Sequence, residues 1–191
     1  VSYRLTSAYT TYADIDKRNL VIGKKSKKYL STLGEVSKKI KATTESIFKN
    51  EQSDIEKIES ILYYFRQNFH YSLITQNTQD IDPLENFFYY EKSGHCELFA
   101  TALVMMLRSV GIPSRICVGY CGGQFNKNLN TYIFYKDDAH AWAEIYFEGY
   151  GWVVIDSTPT GGPSVNNLEN SGDPEFDANK FLEVGKKKKK A

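Results

Sequence analysis

Residues 93–100 read Ser93-Gly94-His95-Cys96-Glu97-Leu98-Phe99-Ala100, and the helix they open decides the fold. Beyond Cys96, the apolar residues Phe99, Ala102, Leu103, Met106, Leu107 and Val110 recur at helical spacing. The pattern ends at Gly111, a helix-terminating residue, with Pro113 just beyond. Ala100 and Val104 widen the apolar face and leave a polar strip of Glu97, Thr101 and Arg108, so the helix is expected to be buried. Cys96 falls in its first turn, behind a glycine that lets another group approach the backbone. Free N–H groups and the positive end of the helix dipole favour a thiolate there. On this stretch alone two readings stay open, an activated nucleophile or a small buried hydrophobe.

Some forty residues later the segment Asp137-Asp138-Ala139-His140-Ala141-Trp142-Ala143-Glu144-Ile145-Tyr146-Phe147 alternates. Ala141, Ala143, Ile145 and Phe147 fall on one face of a strand, His140, Trp142, Glu144 and Tyr146 on the other. Trp152-Val153-Val154-Ile155-Asp156 reads as its hairpin partner across the turn-rich Glu148-Gly149-Tyr150-Gly151. A loop with an odd number of residues, such as Glu148 to Tyr150, puts His140 and Asp156 on one face. An even loop puts them on opposite faces, because a one-residue slip flips every side chain. With the odd loop a carboxylate orients an imidazole, and the imidazole faces a cysteine on a helix packed alongside.

Five motifs in order now resemble a known family: Gly94-His95-Cys96-Glu97-Leu98-Phe99-Ala100, Arg108-Ser109-Val110-Gly111-Ile112-Pro113-Ser114-Arg115, Gly119-Tyr120, Asp138-Ala139-His140-Ala141-Trp142-Ala143-Glu144 and Gly151-Trp152-Val153-Val154-Ile155-Asp156. Together they resemble the core of the transglutaminase-like superfamily over roughly residues 55 to 160, most closely its bacterial, membrane-anchored branch. The resemblance implies a papain-like α+β fold, with N-terminal helices and a buried Cys-bearing helix packed on an antiparallel sheet. It also implies Cys96 as nucleophile, His140 as general base and acid, and Asp156 as the group orienting His140. Close relatives usually run Asp-Pro-Thr after the third triad residue, whereas this chain runs Asp156-Ser157-Thr158-Pro159. That changes the loop leaving the triad.

The 191 residues, 41% hydrophobic and 14% aromatic, suit one globular domain with a real core. No run of eighteen apolar residues occurs to span a membrane as a helix, and no secretory n-region and h-region pattern opens the chain. It begins at Val1, and its only methionines are Met105 and Met106, so an excised piece of a longer protein is expected. With the resemblance to membrane-anchored relatives and the lysine tail, this suggests an extracytoplasmic domain with a membrane tether outside the fragment. The net charge of +1 hides an uneven spread: residues 1–50 hold eleven Lys/Arg against four Asp/Glu, residues 186–190 are five lysines, and the stretch between holds eight basic and nineteen acidic residues. An acidic body attracts cationic partners such as lysine amines, although the plainer reading is solvated surface. Without an aromatic-basic motif or a basic core helix, nucleic acid is not an expected partner.

Three regions are expected: an N-terminal arm and helix over 1–52 packing on the core, a catalytic core over 53–160, and a polar linker or tail over 161–191. Thr32 to Glu35 offers one capping box and Ser53 to Glu56 a better one, the latter opening a helix whose core face is Ile55, Ile58, Ile61, Leu62, Phe65 and Phe69. Asp82-Pro83 caps a short helix through Phe87 and Phe88. After the Cys96 helix, 115–121 and 131–135 read as strands around a polar mobile loop, 122–130, hinged at Gly122-Gly123. With the His140 and Trp152 strands this makes at least four antiparallel strands. That loop is expected to overhang the cleft, with Trp142 shielding the imidazole. Trp142 and Trp152 flank the catalytic strand as substrate-binding candidates, or as a cross-strand aromatic pair that stabilises the hairpin.

The expected chemistry is acyl transfer on a side-chain or peptide amide through a thioester, as in protein-glutamine gamma-glutamyltransferases. A protein or peptide bearing glutamine is the donor, and an amine or water is the acceptor. The backbone N–H of Cys96 is the natural first oxyanion donor. A cysteine protease or amidase would use the same triad, and a catalytically silent interaction domain is a third reading. A zinc module is disfavoured, because Cys117-x-x-x-Cys121 is the only close cysteine pair and no histidine lies near it. No cofactor or metal is expected. In one strand, Cys117 and Cys121 would stand about 13 Å apart at ~3.3 Å per residue, too far for a disulfide without a turn at Gly119.

Overall fold

The structure is a computed structural model, and it describes residues 10–24, 27–32, 34–48, 53–77 and 80–159. The expected tail over 161–191 and the first nine residues lie outside the described residues. Helix α1 spans Gly34–Ile47 and begins at Gly34, so Thr32 is not its N-cap, and Glu35 instead pairs with Lys38 at 2.7 Å. Helix α2 spans Asp54–Asn68 and starts at the expected reciprocal cap. Ser53 Oγ accepts from Glu56 N at 3.3 Å, and Ser53 N donates to the Glu56 carboxylate at 2.7 Å. Asp82 caps the short helix α3, Pro83–Glu85, with Pro83 in its first turn. The chain then widens into a π turn, Asn86–Glu91, that buries Phe87 and Phe88.

That π turn ends at Lys92, whose left-handed backbone (φ 55°) reverses the chain. Strands β1, His70–Tyr71, and β2, Ser93–Gly94, then pair in parallel and lead into α4, Cys96–Ser109. Cys96 is the first residue of α4. Phe99, Ala102, Leu103, Met106 and Leu107 are fully buried in it, and Gly111 follows at φ 84°. A knot of phenylalanines holds the front of α4: Phe99 meets Phe87 at 5.0 Å, Phe65 at 5.8 Å and Phe69 at 6.1 Å between ring centroids. Aromatic pairs of this kind add about 0.5–1.5 kcal/mol each beyond area burial, enough to fix a turn that carries a reactive side chain.

After α4 come β3, Ser114–Tyr120; β4, Gln124–Asn126; β5, Thr131–Ile133; β6, Ala139–Phe147; and β7, Gly151–Ile155. Helices before strands give the expected α+β organisation, with the Cys-bearing helix on an antiparallel sheet. Five antiparallel strands follow α4, in line with the expected four or more, but they divide between two sheets. The main sheet has three strands in the order β3-β6-β7, while β4 and β5 form a separate hairpin. The stretch 122–130 is therefore not an irregular loop, since Gln124–Asn126 pairs with Thr131–Ile133. Its ring pairs, Phe125 with Tyr132 and Tyr132 with Phe134, supply an aromatic pattern at sites that read as loop.

Strand β6 sits in the middle and alternates as expected, with Ala141, Ala143, Ile145 and Phe147 buried. The N-terminal segment closes two of the sheet's open flanks. Thr10 and Tyr12 exchange hydrogen bonds of 2.8–2.9 Å with Val154 on β7, and Val21 and Gly23 do the same with Glu148 and Tyr146 beyond the end of β3. Among the described residues, no helix is long and apolar enough to cross a membrane.

Candidate active site

The hairpin register decides what His140 can touch. Phe147 pairs with Gly151 and Tyr146 with Trp152, so the loop holds the three residues Glu148 to Tyr150, the odd count. His140 and Asp156 therefore share a face, and His140 Nε2 donates to Asp156 Oδ2 at 2.8 Å. Both side chains are almost fully buried, at 0% and 2% exposure. The other carboxylate oxygen of Asp156, Oδ1, accepts from Thr158 N at 2.9 Å. Thr158, just past the departing Ser157, thus fixes the carboxylate through its backbone N–H.

The second ring nitrogen, His140 Nδ1, is buried with no hydrogen-bond partner meeting full geometry among the described residues. The ring's other interacting group is the Cys96 sulfur. A thiol–imidazole contact short of ideal geometry is common before substrate arrives and tightens on binding. Burial alone would push the Cys96 thiol up. The His140 hydrogen bond, the Ala141 backbone, the His140 charge and the Glu97 backbone at the helix start outweigh that and hold it below the usual range. For His140, burial alone would favour the neutral ring, but the bonds to Asp156 and Cys96 win and push it up to about 9. The two shifts run in opposite directions, and both favour the charged forms, thiolate and imidazolium. Burial, reinforced by neighbouring acidic groups, pushes Cys117 and Cys121 the other way, each to about 11. All three cysteines are free thiols.

Gly94 earns its place by close packing: a Cβ there would sit 2.8 Å from both Leu98 and Phe87. Trp142 stacks beside His140, with ring centroids 6.1 Å apart at 24°, and packs on Cys121 and Val154. Gly119, opposite His140 in the β3–β6 register, makes room for that indole, since a Cβ would lie 2.9 Å from it. Trp152 is elsewhere. It lies opposite Tyr146, six positions along β6 from His140, about 20 Å away at ~3.3 Å per residue. There it packs on Tyr146 and Tyr29 under the Arg115 guanidinium, which Glu144 holds at 2.6 Å. Trp152 is thus neither beside the imidazole nor the cross-strand partner of Trp142; its own cross-strand partner is Tyr146. Tyr71, which carried no sequence signal, lies within electrostatic reach of Cys96: burial and the Cys96 charge both raise its phenol. Only the parallel β1–β2 pairing, remote in sequence, reveals it. Among the described residues no His/Cys/Asp/Glu cluster is arranged to hold a metal.

A buried helix with a cysteine at its N-terminus, laid on an antiparallel sheet that carries a His–Asp pair, has the organisation of papain-like α+β proteins. The chain belongs to the transglutaminase-like superfamily, whose sequence pattern matches residues 41–157. It is 29% identical over 140 residues to the uncharacterized protein YebA of Bacillus subtilis (strain 168), covering 70% of this chain and 19% of YebA. It is 38% identical over 77 residues to a protein-glutamine gamma-glutamyltransferase of Pseudomonas aeruginosa, covering 40% of this chain and 12% of that protein. The crystal structure of the periplasmic domain of TgpA from Pseudomonas aeruginosa bound to ethylmercury superposes with a TM-score of 0.59 at 28% identity, covering 68% of this chain and 46% of that one. The chain spans a fifth or less of the length of these curated relatives.

Proposed function

We propose that this domain transfers the acyl group of an amide through a thioester on Cys96. The observation that carries the reading is the buried His140, held by Asp156 at Nε2 and interacting with a thiol at a helix N-terminus. The Cys96 thiolate attacks the amide carbonyl, forming the C–S bond. Charge develops on the oxygen, where the first-turn N–H groups of α4 are aimed. The C–N bond then breaks as the His140 imidazolium gives its proton to the leaving nitrogen. An acceptor amine, or water, attacks the thioester while His140 takes up its proton. The C–S bond breaks and the thiolate returns. Trp142 shields the imidazole from water.

The donor we propose is a glutamine-bearing protein, a reading supported by the name of the Pseudomonas relative. Likeness to a periplasmic domain supports work outside the cytoplasm. The test is incubation with a glutamine-bearing protein, with and without a labelled primary amine, followed by mass spectrometry. Expected are loss of ammonia, amine incorporation and a thioester on Cys96, all absent in Cys96→Ala. Unmodified glutamines with both proteins would remove the proposal.

A further inference from the structure

Strand β7, which delivers Asp156, is covered on its outer side by the segment 10–24, and that segment lies outside residues 41–157, the stretch that the family pattern matches. Val154 directs both of its main-chain groups to the segment. Its N–H donates to Thr10 O at 2.9 Å, and its carbonyl accepts from Tyr12 N at 2.8 Å. Val154 is buried, so both bonds are made away from water, where they constrain the strand most. Tyr12 is held in turn. Its ring stacks on Phe147 with centroids 6.0 Å apart at 19°. Lys17 Nζ lies 4.3 Å over the same ring and pairs with Glu59 of α2 at 2.6 Å.

Two routes run from Val154 to the imidazole. Along the backbone, Asp156 is the second residue on and shares a face of β7 with Val154. The β6–β7 register ends at Ala143 and Ile155, so Asp156 stands just beyond the ladder and takes its direction from the strand behind it. Through side chains, Val154 packs with Cys121 and Trp142, and the Trp142 indole stacks beside His140. We infer that the 10–24 segment is a positioning strap for the triad: Thr10 and Tyr12 hold Val154, and through it they set Asp156 against His140. This rests on the acyl-transfer reading above and adds positioning residues that none of the site motifs contains. The same segment has a second attachment that serves as a comparison. Gly23 N donates to Tyr146 O at 2.9 Å and Glu148 N to Val21 O at 2.9 Å, at the far end of β6. Tyr146 is six positions from His140, about 20 Å at ~3.3 Å per residue. Loss of that attachment loosens the sheet far from Asp156.

The test compares the full wild-type chain with Tyr12→Leu, Tyr12→Pro and Gly23→Pro. Tyr12→Leu removes the ring stack and the cation contact, Tyr12→Pro removes the N–H that binds Val154, and Gly23→Pro removes the distant bond to Tyr146. Read in each are kcat and KM for amine transfer, the pH at which transfer falls, Cys96 alkylation near pH 7, and hydrogen exchange at the Val154 amide. Both Tyr12 variants should speed exchange at Val154 and lower kcat about tenfold at unchanged KM, since a misplacement of about 1 Å can cost ~10²-fold. The alkaline fall in transfer should move to lower pH, because a loosened Asp156 no longer holds the imidazolium, and alkylation should slow with it. Gly23→Pro should lower Tm yet leave kcat, the pH of the fall and alkylation at wild-type values. Should Tyr12→Pro not fold, Tyr12→Leu gives the same readings. Wild-type kcat and pH profile in the Tyr12 variants would overturn the proposal. So would equal kcat losses in the Tyr12 and Gly23 variants, which would reduce the segment to general support. A wild type that transfers no acyl group would count against the acyl-transfer reading instead, and alkylation together with exchange would still read the strap.

Discussion

Asp156 and His140, sixteen residues apart, meet at 2.8 Å inside the protein because the turn between their strands holds three residues. The pair closes diagonally across β6 and β7, and the same carboxylate is braced by Thr158 N. Orientation of the imidazole is thus a product of hairpin register.

Asp156→Asn keeps the shape but changes which hydrogen sits on the ring. It should lower kcat for amine transfer by about 10³-fold or more, with Cys96 alkylation slowed in parallel. Asp156→Ala leaves His140 Nε2 and Thr158 N without their acceptor, at about 1–3 kcal/mol for each buried group. Single-turnover kinetics and chemical denaturation check the two effects.

Iodoacetamide near pH 7 should label Cys96 well before Cys117 or Cys121, since it alone is held below the usual thiol range while the others are pushed to about 11. Peptide mapping after limited alkylation reads this directly. First labelling at Cys117 would mean that the nucleophile is misassigned.

The pH profile follows from the sign of each shift. His140 is raised from 6.5 to about 9, so its contribution to stability is complete below 6.5 and lost as pH rises through about 9. Cys96 is lowered from 9.0, so its contribution is present above 9.0 and lost as pH falls through its depressed value. Between those limits the pair holds one proton folded and unfolded alike, and the two trends cancel. Wild-type Tm should therefore stay nearly flat across neutral pH, whereas Cys96→Ser, which keeps only the His140 trend, should lose stability as pH rises. Amine transfer should fall through about pH 9 as His140 loses the proton it gives the leaving group. Alkylation, which needs only the thiolate, should continue. A Cys96→Ser Tm profile as flat as wild type would break the pairing argument.

Gly119→Val tests the support of Trp142. A side chain there meets the indole that stacks on His140, and overpacking of this sort costs about 1–3 kcal/mol. Valine suits a strand, so the fold should persist while tryptophan fluorescence shifts and kcat falls. An unchanged kcat with a shifted fluorescence spectrum would show that the Trp142 ring position is indifferent to turnover.

The sequence by itself determined whatever depends on short-range period and capping. The apolar spacing from Phe99 to Val110 marked a buried helix with Cys96 in its first turn. Ser53 and Glu56 marked a helix start. Period-two alternation around His140 tied His140 to Asp156 on condition of an odd turn, because strand parity passes through a tight loop, and the three-residue turn that meets the condition came from the structure. Only the tertiary structure decided what lies beside what. The 122–130 stretch became half of a separate hairpin because Phe125, Tyr132 and Phe134 found one another. Trp152 left the site because its register partner is Tyr146. Tyr71 came within reach of Cys96 through a two-residue parallel pairing that no local pattern encodes. The opposite shifts of Cys96 and His140 also needed the fold, because burial opposes both charges and only the assembled neighbours, each for the other and Asp156 for the imidazole, reverse that sign.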